Sequence, residues 1–275
     1  MAMLKLTADN YYSNEANWTY MSTSQYKSFY KCEAAALAEL KGEWGRKDST
    51  ALLVGSYVDA HFSNEKEEFI LKHPEIYTQK GELRAEFQKA EKAIARLEAD
   101  ELARMLLKGK NQVIKTVKIN GVWFKTKFDS LLSASQVEAI CKKFPEVRQL
   151  VPFGGAMIVD LKYMKDFEPM WDDEEKELKN FITYWGYDKQ GAIYQYADKR
   201  NAPFVIVAVT KEDEPDITAK YIPDDELAFC LAEVKENAPR YAAIKRGEVE
   251  PIGCGKSAYC RSHKKLSSIA HYMEI

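Results

Sequence analysis

The sequence predicts a mixed α/β protein in which helices flank a central β-sheet. Two apolar segments, 156–164 and 203–210, have the continuous hydrophobic character of buried strands. Helix-like segments precede, separate and follow the strand-like ones, which favours a helix-covered sheet over a sandwich. The 275 residues contain no internal repeat and no low-complexity linker. We therefore expect a single domain over 1–275, with a helical N-terminal part at 1–110, a sheet core at 111–223, and a C-terminal helix with a basic tail at 224–275.

Amphipathic patterns predict four helices in the N-terminal part. Residues 22–42 carry an apolar stripe at helical spacing, Ser22 and Gln25 fit a capping box at its start, and Gly42 stands where such a helix ends. Shorter helices are predicted at 51–62, 83–97 and 99–108. The many Glu and Lys residues of the last two are typical of a solvent-facing surface.

The period changes at Asn111 from helical to alternating. Asn120-Gly121 separates two alternating runs, which predicts a hairpin with a tight two-residue turn. A short amphipathic helix is predicted from 134 to Pro145, with irregular chain after it. The remaining predicted segments are a helix at 173–199 for which a break at Gly186 stays open, a strand at 217–223 beside 203–210, and a long helix at 224–246.

Composition excludes several classes of protein. With 46% hydrophobic and 30% charged residues, the chain is typical of a globular protein, not a disordered or fibrous one. Forty basic and 42 acidic residues give a net charge of −2, so any contact with nucleic acid needs a local basic patch. No apolar run approaches about 18 residues, so no membrane span is expected. The chain start lacks a secretory pattern and the five cysteines do not form a disulfide framework, so we expect a cytoplasmic location.

Two charged residues, Asp160 and Lys162, lie inside an apolar strand. Burying either charge costs several kcal/mol unless it finds a partner. Residues two apart on a strand share one face, so the two side chains point to the same side. A simple ion pair accounts for this spacing as well as a functional site does.

A second acidic residue raises the functional interpretation above the ion pair. Asp129 lies among apolar neighbours in the strand that follows the Asn-Gly turn. Two carboxylates from neighbouring strands and one lysine form an oxygen-rich site suited to Mg²⁺ or Mn²⁺. Such a site suits phosphodiester hydrolysis by a metal-activated water, which Lys162 would orient or deprotonate.

These residues resemble the PD-(D/E)XK nuclease superfamily, in which an Asp precedes an Asp-x-Lys sequence on a hydrophobic strand. Gln190-Gly191-Ala192-Ile193-Tyr194 is similar to the Q-x-x-x-Y motif of RecB-type nucleases, and Gly55-Ser56-Tyr57-Val58-Asp59 is similar to their upstream G-x-x-x-[H/E/D] helix motif. The segment from Tyr20-Met21-Ser22 to Gln25-Tyr26-Lys27, with Cys32-Glu33, resembles phage and prophage exonucleases of the RecE and lambda-exonuclease kind. The motifs occur in the expected order from Tyr20 to Tyr194.

The resemblance implies a restriction-endonuclease-like fold and a role for each matching residue. Asp129 and Asp160 would bind the metal, with the Leu161 carbonyl as a further ligand and Asp59 completing the metal shell. Lys162 would lie beside the attacking water. Gln190 and Tyr194 would touch DNA or brace the site, with ordinary helix packing as the alternative. Candidate phosphate contacts are Lys127 and the tail residue Arg261, together with Lys115, Lys118, Lys125, Lys256, His263, Lys264 and Lys265.

The sequence departs from this family pattern at two places. Many relatives carry His or Glu where Asp59 stands, and His61 is the second choice because it would project from another side of the helix. Residues 134–155, which end in Pro152-Phe153-Gly154-Gly155, lengthen the connection between Asp129 and Asp160. This insertion either faces the substrate or has no role in catalysis.

The C-terminal cysteines resemble a Cys-x-x-Cys-x-x-Cys segment that, with an N-terminal cysteine, can bind an iron–sulfur cluster in related nucleases. Here Ser257 stands in place of the middle cysteine. Cys32, Cys254 and Cys260 supply three thiolates, whereas such a cluster normally takes four. We expect that no iron–sulfur cluster is bound and that the segment is a degenerate remnant.

The resemblance implies a Mg²⁺-dependent (or Mn²⁺-dependent) deoxyribonuclease, a phage-type 5′ to 3′ exonuclease acting on double-stranded DNA ends in recombination. It also implies a ring-shaped homo-oligomer and a single-strand annealing recombinase as partner, in the cytoplasm of a bacterium or a phage-infected cell. One alternative is a RecB-type or CRISPR-adaptation nuclease that acts on single-stranded ends. The other is a non-catalytic DNA-binding protein on the same fold, which the retention of three buried charges disfavours.

Overall fold

A computed structural model of the chain describes residues 4–45, 50–150, 155–173, 175–199, 201–266, 269 and 273. Within these ranges six strands form a mixed sheet, and helices pack on both of its faces. This architecture confirms the predicted fold class. None of the helices in the described ranges has both the length and the apolar character that a membrane span requires.

The sheet combines parallel and antiparallel pairs in the order β1-β3-β4-β7-β8, and β2 pairs with β3 outside this path. β2 and β3 form the hairpin predicted at Asn120-Gly121, and β4 and β7, the two predicted buried strands, are parallel neighbours. β5 and β6 form a separate two-stranded sheet. The strands are β1 Met21–Ser22, β2 Lys110–Ile119, β3 Val122–Leu132, β4 Met157–Met164, β5 Met170–Asp172, β6 Glu177–Lys179, β7 Phe204–Thr210 and β8 Ile217–Ile222.

Helices cover both faces of the sheet. They are α1 Asn14–Thr19, α2 Thr23–Lys31, α3 Glu33–Lys41, α4 Thr50–Phe62, α5 Lys66–Lys72, α6 Ala85–Ala99, α7 Glu101–Leu106, α8 Ala134–Lys143, α9 Phe181–Tyr184, α10 Tyr187–Asp198, α11 Asp224–Lys245 and α12 Ala258–Ser262, with short 3₁₀ helices at Pro74–Ile76 and Pro145–Leu150.

Alternate residues of the two central strands enter two separate cores. Ile158 and Phe204 pack with residues of α2, α10 and α11, whereas Val159 and Val205 pack with residues of α4, α6, α7 and α8. Because successive side chains of a strand point to opposite faces, this alternation follows from the apolar character of both faces. Asp160 lies on the α10 face, two residues after Ile158.

Three predictions of secondary structure are wrong in detail. The helix expected at 22–42 is two helices, because Cys32 adopts an extended backbone and its N–H closes α2 by donating to Ser28 O. The helix expected at 173–199 contains strands β5 and β6, a side-chain cap at Asn180 that begins α9, and a left-handed Gly186 before α10. The N-terminal part is not wholly helical, because β1 pairs in parallel with β3.

Candidate active site

Carboxylates from three elements meet in one cavity of about 950 Å³. Asp59 comes from α4, Asp129 from β3 and Asp160 from β4, and Lys162 lines the same cavity. The structure therefore brings together the acidic residues and the lysine that the sequence analysis selected from distant segments.

Asp160 is buried and is held through one of its two carboxylate oxygens. Gln190 Nε2 donates a hydrogen bond to Asp160 Oδ1 over 2.6 Å. Asp160 Oδ2 lies 2.5 Å from Lys162 Nζ, yet among the described residues no donor satisfies this buried oxygen with hydrogen-bond geometry. A buried acceptor without a hydrogen bond is costly, so this oxygen is available to a ligand.

A local irregularity of the β2–β3 hairpin positions Asp129. The pairs Asn111–Ser130 and Val113–Phe128 flank it, and Phe128 packs on the α10 face. The Ser130 hydroxyl points to the opposite face, where it donates to Leu106 O. Phe128 and Ser130 would share a face in a regular strand, so β3 changes faces at the residue between them.

The irregularity directs the Asp129 side chain into the gap between β3 and β4. These strands pair only from Ser130–Val159 to Leu132–Met157, so they separate before Leu161. There the Leu161 N–H donates to Asp129 Oδ2 over 2.9 Å. In a strand the N–H and C=O of one residue point to the same edge, so the Leu161 carbonyl faces this gap as well.

Asp59 reaches the cavity from the buried helix α4. Tyr57 packs edge-on against Phe87 of α6, with ring centroids 5.4 Å apart, and this contact fixes the rotation of α4. His61 pairs with Glu98 over 3.2 Å and is absent from the residues lining the cavity. Of these two candidates from the sequence, Asp59 lines the cavity and His61 does not.

Burial, and then the closeness of other carboxylates, raises the pKa values of Asp59 and Asp129. The pKa of Asp59 is raised to about 6, mainly because surrounding protein displaces water from the carboxylate, and further because of Asp160. Burial, followed by repulsion from Asp160 and Asp59, raises the pKa of Asp129 well above its usual range. Asp59 and Asp129 thus resist ionisation when they are buried next to Asp160, as crowded oxygen ligands of a cation do.

Lys162 and Lys27 are two of the lysines that line the same cavity. Burial alone would lower the pKa of Lys162, but Asp160 and Asp129 raise it above the ordinary lysine value. Lys162 therefore stays protonated in the metal-free protein, which favours an orienting role over proton removal. Burial and the nearby Lys162 lower the pKa of Lys27 to about 8. Both ammonium groups lie 4.9 Å from the ring centre of Tyr187.

Gln190 and Tyr194 lie on one face of α10 and make hydrogen bonds to residues of the two strands that carry the site. Tyr194 OH donates to Lys127 O over 3.0 Å, and both α10 side chains are buried. Between them, a Cβ at Gly191 would come within 2.5 Å of the Phe204 ring, so glycine lets α10 approach β7 closely. This burial favours bracing over direct contact with DNA.

The candidate phosphate contacts differ in where they lie. Lys127 lines the cavity, with its ammonium 4.7 Å from the ring centre of Tyr12. Lys125 also lines the cavity, but it is buried and donates to Tyr11 O and to Asn17 Oδ1, which favours a structural role over a phosphate contact. Lys115 pairs with Asp198, and Lys118 lies on the exposed side of β2, over the Trp123 ring. Arg261 lies on α12 and is not among the residues lining the cavity.

The described part of the insertion lies away from the cavity. Val137 and Ile140 of α8 join the core beside β4, and the 3₁₀ helix Pro145–Leu150 replaces the irregular chain expected there. No described residue of the insertion lines the cavity. Residues 152–154 lie outside the described ranges.

Sequence reasoning missed several residues of the cavity. Gln112 lies opposite Asp129 with a φ of 52°, and its buried Oε1 has no hydrogen-bond partner among the described residues. Tyr12 is 70% exposed and lines the cavity beside Lys127. The sequence from Gln112 to Lys115 does not indicate a left-handed backbone at Gln112. The pair Tyr11-Tyr12 does not indicate that Tyr12 lines a cavity.

The donor set of the cavity fits a divalent cation. Asp59, Asp129 and Asp160 supply carboxylate oxygens, the Leu161 carbonyl faces the same gap, and one Asp160 oxygen lacks a hydrogen bond. Mg²⁺ and Mn²⁺ prefer such oxygen ligands. A cation would also relieve the repulsion that raises the carboxylate pKa values.

Three of the five cysteines meet at a second place in the fold. The sulfur atoms of Cys32, Cys254 and Cys260 all lie within 4.8 Å of one another. None of them lines the cavity that holds the carboxylates.

Comparison with known proteins agrees with this geometry. Residues 22–141 and 153–263 match the family model described as "PDDEXK-like domain of unknown function (DUF3799)". The chain is also similar to a solved structure from Eubacterium rectale called "Putative exonuclease", with 39% sequence identity, a TM-score of 0.81, and coverage of 98% of this chain and 97% of that one. No curated protein matches the chain. The family match and the structural neighbour support a nuclease.

Proposed function

The chain belongs to the family of PDDEXK-like domains, and we propose that it is a divalent-cation-dependent exonuclease that digests DNA from duplex ends. The observation that carries the proposal is that Asp59, Asp129, Asp160 and Lys162 line a single cavity. Mg²⁺ is the proposed cation, with Mn²⁺ as its substitute, because every donor in the cavity is an oxygen.

Each of these residues would have a different role in phosphodiester hydrolysis. Asp129 and Asp160, with Asp59, would hold the cation. When bound, the cation polarises the phosphate and lowers the pKa of a water molecule. Lys162 keeps its proton and donates it in hydrogen bonds to the water or to a phosphate oxygen, which stabilises the charge that develops there. Gln190 fixes the rotation of Asp160 through Oδ1.

Digestion from an end is supported by the size of the cavity. A volume of about 950 Å³ is in the range that holds a drug-sized ligand, comparable to a few nucleotides of one strand. We propose that one strand separates from its complement to enter the cavity, which is easiest at an end. The 5′ to 3′ polarity, the ring-shaped oligomer and the annealing recombinase belong to this proposal through the resemblance to phage exonucleases.

A second candidate is digestion of single-stranded ends. The exposed ring of Tyr12 lies beside the Lys127 ammonium at the cavity, and an aromatic ring next to a cation is the usual platform for an unpaired base. This candidate keeps the same chemistry and differs only in the strand that enters the cavity.

The test compares DNA substrates with labels at the 5′ or the 3′ end. Linear duplex, closed circular duplex and single strand are incubated with Mg²⁺, Mn²⁺ or EDTA. We expect Mg²⁺-dependent loss of linear duplex from the 5′ end while the circle stays intact. Preferred loss of single strand supports the second candidate instead, and cutting of the circle overturns the exonuclease.

A matched pair of substitutions assigns the activity to the cavity. Asp160→Asn keeps the shape of the side chain but removes its charge, and we expect cleavage to be lost. Asp213→Asn is the control, because this carboxylate is exposed and pairs only with Lys89 among the described residues. Wild-type cleavage by the Asp160 variant would contradict the site. Binding of DNA without cleavage under any cation would favour the non-catalytic protein.

A further inference from the structure

We propose that Cys32, Cys254 and Cys260 form a site for a single zinc ion, distinct from the oxygen-rich cavity. Cys32 lies at the junction of α2 and α3, and the other two lie in the chain that follows α11. The site therefore joins two parts of the chain separated by more than 200 residues.

The spacing of the sulfur atoms favours one metal ion over a cluster. At a zinc–sulfur distance of about 2.3 Å, tetrahedral geometry places two thiolate sulfurs about 3.8 Å apart. Cys32 Sγ and Cys260 Sγ lie 3.6 Å apart, and all three sulfurs fall within 4.8 Å. In a [4Fe–4S] cluster each thiolate binds a different iron, so the sulfurs stand further apart, and [2Fe–2S] and [4Fe–4S] clusters normally need four thiolates.

Backbone and side-chain donors surround the sulfurs as they do around metal-bound thiolates. Cys254 N–H points at Cys32 Sγ over 3.5 Å, and Ser257 N–H points at Cys254 Sγ over 3.2 Å. The Ser257 hydroxyl lies 3.6 Å from Cys32 Sγ and also caps α12, which carries Cys260. These contacts orient the ligands in the manner of the outer shell of a metal site.

The backbone at Gly253 passes close to one sulfur of the site. A Cβ at Gly253 would lie 3.2 Å from Cys260 Sγ, so glycine allows the chain to pass directly over this sulfur. The Glu33 carboxylate fixes the approach of the segment, since it accepts from Ile252 N–H and pairs with Arg240. The three sulfurs thus converge on a space suited to a single ion.

Binding of zinc requires no change of oxidation state. Three thiols lose their protons to solvent and form three zinc–sulfur bonds, and water takes the fourth position. Zinc binds each cysteine in its deprotonated, thiolate form.

The experiment measures metal content and the spectrum of the full-length protein. Elemental analysis of protein purified without chelator should find about one zinc per chain. After replacement by Co²⁺, a charge-transfer band from thiolate to cobalt should appear. Asp160→Asn should keep this band, because the carboxylate cavity is separate, so failure of the proposed nuclease would not affect the result.

Substitutions identify the ligands. Cys254→Ser and Cys260→Ser should each lose the cobalt band and most of the zinc, whereas Cys141→Ala, which removes a buried cysteine in another core, should keep both. Iron with sulfide and a brown colour would overturn the single-zinc site in favour of a cluster. A metal-free protein, with or without a Cys32–Cys260 disulfide by mass spectrometry, would overturn it as well.

Discussion

Gln190 Nε2 donates a 2.6 Å hydrogen bond to Asp160 Oδ1, which leaves the other carboxylate oxygen to face Lys162. This bond links the Q-x-x-x-Y helix to the Asp-x-Lys strand inside the protein. A glutamine that selects which oxygen of a ligand points at a cation acts on the affinity for that cation. The relationship explains why a motif without reactive groups accompanies the acidic ones.

Replacing Gln190 should weaken binding of the cation. In Gln190→Ala, Asp160 Oδ1 loses its donor and the carboxylate can rotate, so we expect the Mg²⁺ concentration for half-maximal cleavage to rise about 10- to 100-fold. Excess Mg²⁺ should restore much of the rate. Gln195→Ala on the same helix is the control, since Gln195 bonds to Ala202 O and Asp224 instead. An unchanged Mg²⁺ requirement in the Gln190 variant would contradict the positioning role.

Removing Lys162 should separate catalysis from stability. In Lys162→Ala we expect cleavage to fall by about 100-fold or more, because a donor to the developing charge is lost. The metal-free variant should also melt at a lower temperature, since Asp160 loses the ammonium with which it pairs. Mg²⁺ should then raise its Tm more than that of the wild type.

The control for this substitution is Lys165→Ala. Lys165 follows the same strand but is 93% exposed and pairs with Asp166. Thermal melting with and without Mg²⁺ and single-turnover cleavage measure the two effects. Equal Tm responses in the Lys162 variant and the wild type would show that the ammonium does not compensate the carboxylates.

Two substitutions of Gln112 should separate the effect of its backbone conformation from the effect of its side chain. A side chain at a φ of 52° costs about 1–2 kcal/mol, which glycine avoids. We therefore expect Gln112→Gly to have a free energy of unfolding about 1 kcal/mol higher than Gln112→Ala. Both lose the buried amide oxygen, so both should lose the same share of activity. Urea denaturation and cleavage rates provide the measurements, and different activities in the two variants would assign the effect to the backbone.

Lowering the pH should stabilise the metal-free protein and weaken the binding of Mg²⁺. The pKa of Asp59 is about 6 in the folded protein, whereas an Asp in an unfolded chain has a pKa of about 3.9. Between about pH 4 and pH 6, the folded protein therefore binds a proton at Asp59 that the unfolded chain does not bind. The contribution of Asp59 to stability is therefore present below pH 4 and is lost as pH rises through 6. Mg²⁺ needs the ionised group, so its affinity should fall as pH drops below 6.

Asp59→Asn tests both directions of this effect. In EDTA, the difference in Tm between the wild type and the variant should depend on pH between about 4 and 6 and be constant above that range. In Mg²⁺, the cleavage rate of the wild type should decline below pH 6. A Tm difference that does not vary with pH would mean that Asp59 ionises at its ordinary value.

Tyr12 should contribute to binding of DNA and not to the chemical step. Tyr12→Ala removes an exposed ring at the cavity, and loss of one stacked base costs about 1–3 kcal/mol. We expect Kd for single-stranded DNA to rise about 5- to 150-fold, with kcat unchanged. Tyr12→Phe should bind as the wild type does.

A second exposed tyrosine provides the control for Tyr12. Tyr196 lies over Lys235 and does not line the cavity, so Tyr196→Ala should leave Kd unchanged. Fluorescence anisotropy with labelled oligonucleotides gives the affinities. Equal losses in the two alanine variants would point to a general effect of surface aromatic residues.

Local rules of the chain account for much of what could be predicted. The two-residue period of a strand places Asp160 and Lys162 on one face, and Asn120-Gly121 encodes its hairpin turn. The apolar runs of β4 and β7 reveal buried strands because both of their faces are covered. Each of these properties depends on residues that are near neighbours in the sequence.

Other features could not be predicted, because they depend on contacts with residues that are distant in the sequence. The break at Cys32 has no local signal, as the helical pattern continues through it, and the extended residue lies where the C-terminal cysteines pack. The basic residue Lys125 looks like a surface contact in sequence, but α1 and the preceding turn bury it.

The amino-acid order alone thus determined the strand that carries Asp160 and Lys162, the hairpin before it and the family of the chain. Only the tertiary structure decided that β3 changes faces at Asp129, that Gln190 holds Asp160 by one oxygen, and that three cysteines meet. The physical reason is that a strand's period is set by bonds between neighbours, whereas these contacts join segments tens to hundreds of residues apart. Their geometry depends on how helices and sheet pack together.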